Sequence, residues 1–118
     1  MKILIVEDEA LIVMRMEIEL ATFGHQLCPS ASTGRKAIEI AQKEVPELII
    51  MDLNLIGPMN GIEAAREIQR EQQIPIIFMT GYADEELKTK ALELEPLAYL
   101  VKPVEPYQIE NAINYLPK

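Results

Sequence analysis

Short runs of aliphatic residues alternate with longer amphipathic stretches along the whole chain. Lys2-Ile3-Leu4-Ile5-Val6, Leu48-Ile49-Ile50-Met51 and Ile76-Ile77-Phe78-Met79 are apolar at nearly every position. Runs of this length, bounded by polar residues, read as strands buried on both faces. Between them the apolar positions recur at helical spacing. A helix is predicted from Ala10 to about Phe23, closed by Gly24, a residue suited to a C-terminal cap. His25 to about Ser30 reads as a shorter strand whose mixed composition suits a sheet edge. Ser32 or Thr33 can cap a second helix with Ala37, Ile38 and Ala41 on one face, and Val45-Pro46 breaks it. A loop rich in turn residues, Asn54 to Asn60, follows the third strand. Gly61 opens a third helix with Ile62, Ala65 and Ile68 facing inward. Pro75 to Thr80 forms the fourth strand, and Asp84 starts a fourth helix with Leu87, Ala91 and Leu94 as its inner stripe. Ala98 to Val101 is the fifth strand, ending at Lys102-Pro103. Pro106 suits the first turn of a last helix, whose apolar face is Ile109, Ala112, Ile113 and Leu116.

Five strand–helix units in sequence imply an α/β domain, a parallel sheet covered by helices on both sides with right-handed crossovers. The expected strand order is 2-1-3-4-5, the flavodoxin-like (βα)5 doubly wound arrangement, as a single domain over residues 1–118. Ligands of such sheets sit at the carboxyl ends of the strands, where the order reverses. Here the reversal falls between strands 1 and 3, and those two strands end in acid, at Glu7-Asp8 and at Asp52.

The 118 residues suit one domain, and with 49% of them hydrophobic and only 5% aromatic the core must be mainly aliphatic. The formal net charge of −8 argues against direct nucleic-acid binding by this domain, because a phosphate backbone would be repelled. No run of apolar residues is long enough to span a membrane. The first residues do not read as a signal peptide, so the expected location is the cytoplasm. Cys28, the one cysteine, reads as a small buried hydrophobe. His25, the one histidine, is assigned no role.

Four strands end in a polar group at the same sheet edge: Glu7-Asp8, Asp52, Thr80 and Lys102. Each alone is an ordinary turn or surface residue. Together they describe one site. Three carboxylates in one crevice repel one another unless a divalent cation shares it, and magnesium suits an all-oxygen site. A carboxylate can attack phosphorus to give an acyl phosphate. Phosphoryl transfer then needs charge neutralisation and in-line alignment, which a magnesium ion, a lysine and a hydroxyl can supply.

The segments Val6-Glu7-Asp8-Glu9, Met51-Asp52-Leu53-Asn54-Leu55, Met79-Thr80-Gly81 and Tyr99-Leu100-Val101-Lys102-Pro103 resemble, in this order and spacing, a response-regulator receiver domain of two-component signalling, over essentially the full length. The resemblance implies that Asp52 is the phosphoacceptor. It implies that Asp8 binds Mg2+ directly, with Mn2+ as a substitute, that Glu7 acts mostly through a bound water, and that the Asn54 carbonyl completes the protein's share of ligands. Thr80 and Lys102 would hold the phosphoryl oxygens, and Tyr99 would be the aromatic switch. Lys102-Pro103 is a cis-peptide candidate. The implied donor is a histidine kinase or histidine phosphotransfer protein. The downstream effector is unknown, and a homodimer through the helix 4–strand 5–helix 5 surface is possible. Such a module is not a multiple-turnover enzyme: it catalyses only its own phosphorylation and slow hydrolysis.

Three departures from the family pattern stand out. The loop from Asp52 to Gly61 runs ten residues, counting both ends, one more than the common form. Ile56 stands where proline is frequent, with Gly57-Pro58 after it. Glu95-Pro96 replaces the Gly-Ala that often precedes strand 5. Asn54 sits where the side chain tunes dephosphorylation. The first helix carries two apolar stripes. Ile12, Met16, Leu20 and Phe23 are expected in the core. Leu11, Met14, Ile18 and Ala21 are expected to be partly exposed, as a docking face for the histidine-bearing partner. The alternative reading is a small-molecule phosphatase with an aspartyl-phosphate intermediate. It would need a general acid two positions after the nucleophile, where this chain has Asn54.

Overall fold

The computed structural model describes residues 1–82 and 84–116. Ala83, Pro117 and Lys118, which the expected domain includes, lie outside the described residues. The strands are β1 (Lys2–Val6), β2 (Gln26–Leu27), β3 (Leu48–Asp52), β4 (Ile76–Thr80) and β5 (Ala98–Val101). The helices are α1 (Ala10–Thr22), α2 (Gly34–Glu44), α3 (Gly61–Glu71), α4 (Glu85–Leu92) and α5 (Pro106–Ile113). All strand pairs are parallel, in the order β2-β1-β3-β4-β5. This is the flavodoxin-like arrangement.

The continuous apolar character of β1, β3 and β4 follows from burial on both faces. Leu4, Val6, Ile49, Met51, Ile76 and Phe78 point toward α2, α3 and α4, meeting Ala37, Ile40, Ile62, Ala65, Ile68 and Ala91. Their alternates Ile3, Ile5, Leu48, Ile50, Ile77 and Met79 meet α1 and α5, through Val13, Met16, Leu20, Ile109 and Ala112. The two layers fix which strand residues face which helices. They also bring all strand ends to one edge.

The elements differ from the sequence pattern most at β2 and α1; α4 and α5 also stop at Leu92 and Ile113, short of the expected stripe residues Leu94 and Leu116. The second strand is only Gln26–Leu27, shorter than His25–Ser30. Pro29 offers no N–H to the ladder. Cys28 N–H still donates to Ile3 O (2.9 Å), but the next donor to Ile5 O is Ala31 (3.0 Å), so the chain bows out around Pro29-Ser30. In α1 the buried residues are Val13, Met16 and Leu20, with Ile12 half-buried. Phe23 is not core: it is 52% exposed. It is the C-terminal cap residue, and Gly24 at φ 87° turns the chain immediately afterwards, carrying Phe23 off the buried face. The second stripe is open to solvent, with Leu11 80%, Met14 56% and Ile18 66% exposed.

Local chemistry sets the helix starts nearest the site. Asn60 and Glu63 form a reciprocal capping box at α3, each side chain accepting from the other's backbone N–H at 3.0 Å. Glu95 holds a left-handed φ of 52° before Pro96. A glycine would adopt that conformation without steric cost, which explains why glycine is frequent there in the family this chain resembles.

At Gly61 the reason for glycine is close approach. A Cβ there would lie 2.3 Å from Asp52 O and 3.0 Å from Leu53 Cα. The first turn of α3 therefore rests on the backbone that carries Asp52. Gly61→Ala is expected to destabilise the domain by about 1–3 kcal/mol, read as a lower midpoint in urea unfolding. An unchanged midpoint would mean that α3 shifts freely.

Candidate functional site

Because β1 and β3 are neighbours with Val6 opposite Met51, the residues that follow them emerge side by side. Carboxylate oxygens of Glu7, Asp8 and Asp52 lie within 4.8 Å of one another. Among the described residues the buried polar or charged ones are Glu7, Asp52 and Thr80, and all three converge here. Thr80 ends β4, the next strand over. From the end of β5, Lys102 N–H donates to Thr80 O at 2.8 Å. Its ammonium donates to Glu7 Oε2 (2.8 Å) and Asp52 Oδ2 (3.1 Å). The Lys102–Pro103 peptide is cis.

Backbone amides complete the carboxylate contacts. Asn54 N–H donates to Asp52 Oδ1 at 2.9 Å, Ile56 N–H to Asp8 Oδ2 at 3.1 Å, and Glu9 N–H to Glu7 Oε1 at 3.3 Å. The Thr80 hydroxyl lies within donating reach of Tyr82 O (2.9 Å) and Asn54 Oδ1 (3.2 Å). Asn54 Oδ1 also accepts from Gly81 N–H (3.3 Å), while its Nδ2 donates to the Tyr82 hydroxyl (3.0 Å). One amide side chain thus ties the loop after β3 to the loop after β4. Tyr99, half-buried on β5, packs against the α2–α3–α4 core layer. The Lys88 ammonium stands 5.7 Å from its ring centroid, a cation–π distance.

Burial pushes the Glu7 carboxyl up to about 7. The Lys102 hydrogen bond pulls it back, and the neighbouring Asp52 raises it further. Burial also works against the Lys102 ammonium, but hydrogen bonds and charge from Glu7 and Asp52 outweigh it and leave its pKa raised. Burial pushes the Tyr99 phenol up, and the neighbouring Thr80 side chain offsets part of that rise. Three carboxylates facing one ammonium leave a local excess of negative charge. The donor set is all oxygen. Both features fit a hard divalent cation of the magnesium type.

The family model for the response regulator receiver domain matches residues 3–114. This chain belongs to that family. Among curated relatives, the receiver domain is 37% identical over 102 residues to the transcriptional regulatory protein PdtaR of Mycobacterium tuberculosis, covering 86% of this chain and 49% of that protein. It is 34% identical over 113 residues to the probable transcriptional regulator ycf27 of Porphyridium aerugineum, covering 96% of this chain and 46% of that one. The chain therefore spans about half the length of the curated relatives it matches. Among solved structures, it matches the signal receiver domain of a modulated diguanylate cyclase from Desulfovibrio desulfuricans G20 with a TM-score of 0.89 and 30% identity, covering 96% and 90% of the two chains. It matches a CheY-like response regulator receiver domain protein from Methanospirillum hungatei JF-1 with a TM-score of 0.88 and 27% identity, covering 96% and 90%.

The receiver crevice brings together Glu7, Asp8, Asp52, Asn54, Thr80 and Lys102. Tyr99 lies one strand over. Sequence reasoning missed Tyr82, whose position two after Thr80 is its only signal. It also missed the Ile56 amide, since a backbone donor leaves no trace in residue type beyond not being proline. His25 lies at the opposite sheet edge, just before β2, bonded to Glu110 of α5 at 2.5 Å.

The raised Glu7 group has a definite sign. Its folded pKa of about 7 exceeds its ordinary 4.5. Its contribution to stability is therefore fully present below about pH 4.5 and lost as pH rises toward 7. In metal-free buffer, thermal unfolding of Glu7→Gln should lack the decline that wild type shows across this window. Identical pH profiles for the two proteins would contradict the assignment.

Proposed function

We propose that this receiver domain is a phosphoacceptor switch: Asp52 takes a phosphoryl group from a phosphohistidine donor on a histidine kinase or histidine phosphotransfer protein. The observation that carries the reading is the position of the Asp52 carboxylate. It sits against Lys102 and beside two further acids, with the Thr80 hydroxyl at the end of the next strand. An Asp52 oxygen attacks phosphorus. The P–N bond of the donor breaks, its electron pair returning to the imidazole nitrogen, and an acyl phosphate forms.

Glu7, Asp8, Asp52 and the Asn54 carbonyl would hold Mg2+, or Mn2+ in its place. When bound, that ion supplies positive charge for the phosphoryl oxygens. The Lys102 ammonium already reaches Asp52 Oδ2 and is positioned to pair with the incoming phosphoryl oxygens. Their negative charge competes for the Thr80 hydroxyl, which in this structure is engaged by Tyr82 O and Asn54 Oδ1. Losing that engagement frees the loop after β4. Tyr99, the expected aromatic switch, then repacks against that loop, and the α4–β5–α5 surface changes. Leu92, Val101 and Tyr107 are exposed large hydrophobic residues on those elements, suited to an effector or to a second copy of this chain. The two states need differ by only a few kcal/mol for phosphorylation to shift the population.

The donor would dock along α1. Leu11, Met14 and Ile18 form an exposed apolar stripe. Beside it lies an apolar groove of about 420 Å³, lined by Leu11, Ile12, Met16, Met79, Pro103 and Val104 and reaching Lys102. A methionine-containing surface adapts readily to a partner. A small-molecule phosphatase would need a proton donor near Asp52, and the Asn54 amide cannot supply one.

Incubation with acetyl phosphate and magnesium should add one phosphoryl group by intact mass. The gain should vanish in Asp52→Ala and on chelation of the metal. A gain that survives in Asp52→Ala would refute the acceptor. Met14→Ser with Ile18→Ser should slow phosphotransfer from a histidine donor about tenfold, equivalent to ~1.4 kcal/mol. Thermal stability and the acetyl phosphate reaction should stay near wild type. Unaltered transfer kinetics would remove α1 from the interface.

A further inference from the structure

We infer that the backbone N–H of Ile56 is the group that orients Asp8 for cation binding, so that the loop after β3 sets the affinity of the acidic crevice. The inference rests on the metal site proposed above and adds to it a positioning group. Among the described residues, Ile56 N–H is the only hydrogen-bond donor to the Asp8 carboxylate, at 3.1 Å on Oδ2. Lys102 contacts Glu7 and Asp52 and leaves Asp8 to this amide. Asp8 is only half-buried, so packing alone does not hold its side chain.

The loop is built to present that amide. Leu55 is 8% exposed and anchors the segment from below, whereas the Ile56 side chain is 71% exposed. What residue 56 contributes is its N–H. The loop's two ends are fixed by Asn54 N–H on Asp52 Oδ1 and by the Asn60–Glu63 box. A carboxylate oxygen that accepts one hydrogen bond keeps a lone pair, and its twin oxygen keeps both. The Ile56 bond therefore fixes the orientation of Asp8 without using up its donor capacity. Outer groups that orient a metal-binding carboxylate typically change affinity about 10–100-fold when removed.

The test is titration of the protein with magnesium chloride alone, followed by calorimetry, with no phosphodonor present. Wild type is compared with Ile56→Pro, with Ile56→Ala, and with a protein carrying the α-hydroxy analogue of isoleucine at position 56. That analogue replaces the amide by an ester, which removes the N–H while keeping the isoleucine side chain. The ester and proline forms should bind magnesium about tenfold more weakly or worse. Ile56→Ala keeps the N–H and should retain affinity. Should the proline form fail to fold, the ester reads the same loss. In metal-free protein, the Ile56 amide should be protected from hydrogen exchange and lose that protection in Asp8→Ala. An ester form that binds within twofold of wild type overturns the inference while leaving the metal site intact. Unchanged protection in Asp8→Ala overturns it as well. A wild type with no magnesium affinity overturns the metal site itself, and the inference with it.

Discussion

Mutual repulsion of carboxylates is the constraint around which the receiver is organised. The sheet order makes β1 and β3 neighbours, and both end in acid. Burial of Glu7 and Asp52 then removes most of the water that would otherwise screen them. An unpaired buried charge is costly. The structure answers with one ammonium, from Lys102, shared between Glu7 Oε2 and Asp52 Oδ2, and with three backbone amides. The compensation is partial: burial, with Asp52 beside it, outweighs the Lys102 hydrogen bond and leaves the Glu7 pKa raised to about 7. A crevice held short of neutrality in this way favours a positively charged occupant.

The same crevice is joined to the residues after β4 through few atoms. Thr80 is fully buried, and its hydroxyl has a single proton to give. Its neighbours, Asn54 Oδ1 and Tyr82 O, both lie within reach of it. Any stronger acceptor near Asp52 takes that proton at the expense of one of them. Asn54 in turn holds Gly81 and Tyr82, the two residues that directly follow β4. Tyr99 borders this network and carries Lys88 over its ring. Hydrogen bonds and one aromatic contact thus link the ends of adjacent strands.

Much of this was legible in the chain. The all-apolar runs of β1, β3 and β4 announce strands covered on both faces. Their polar final residues mark one edge once the strands are taken as parallel. Local signals such as Gly24, Thr33 and Pro106 mark where helices begin or end. The pattern was weaker where a single residue decided the outcome. Pro29 shortens β2 by withholding an N–H. Phe23 has the spacing of a core residue yet lies beyond the last turn that faces the sheet. Tyr82 and the Ile56 amide act through loop geometry, which neither periodicity nor residue type encodes.

The sequence by itself determined the order of elements, the parallel layered architecture and the identity of the acids, hydroxyl and lysine at the strand ends. These depend on local hydrophobic spacing and on side-chain chemistry, both of which are written residue by residue. Only the tertiary structure decided which oxygen meets which proton: Lys102 on Glu7 and Asp52 but not Asp8, Ile56 on Asp8, and Asn54 across to Tyr82. Such pairings are set to within tenths of an ångström by how the loops pack over the sheet edge. Hydrogen-bond energy varies steeply over that range, while the sequence pattern does not vary at all.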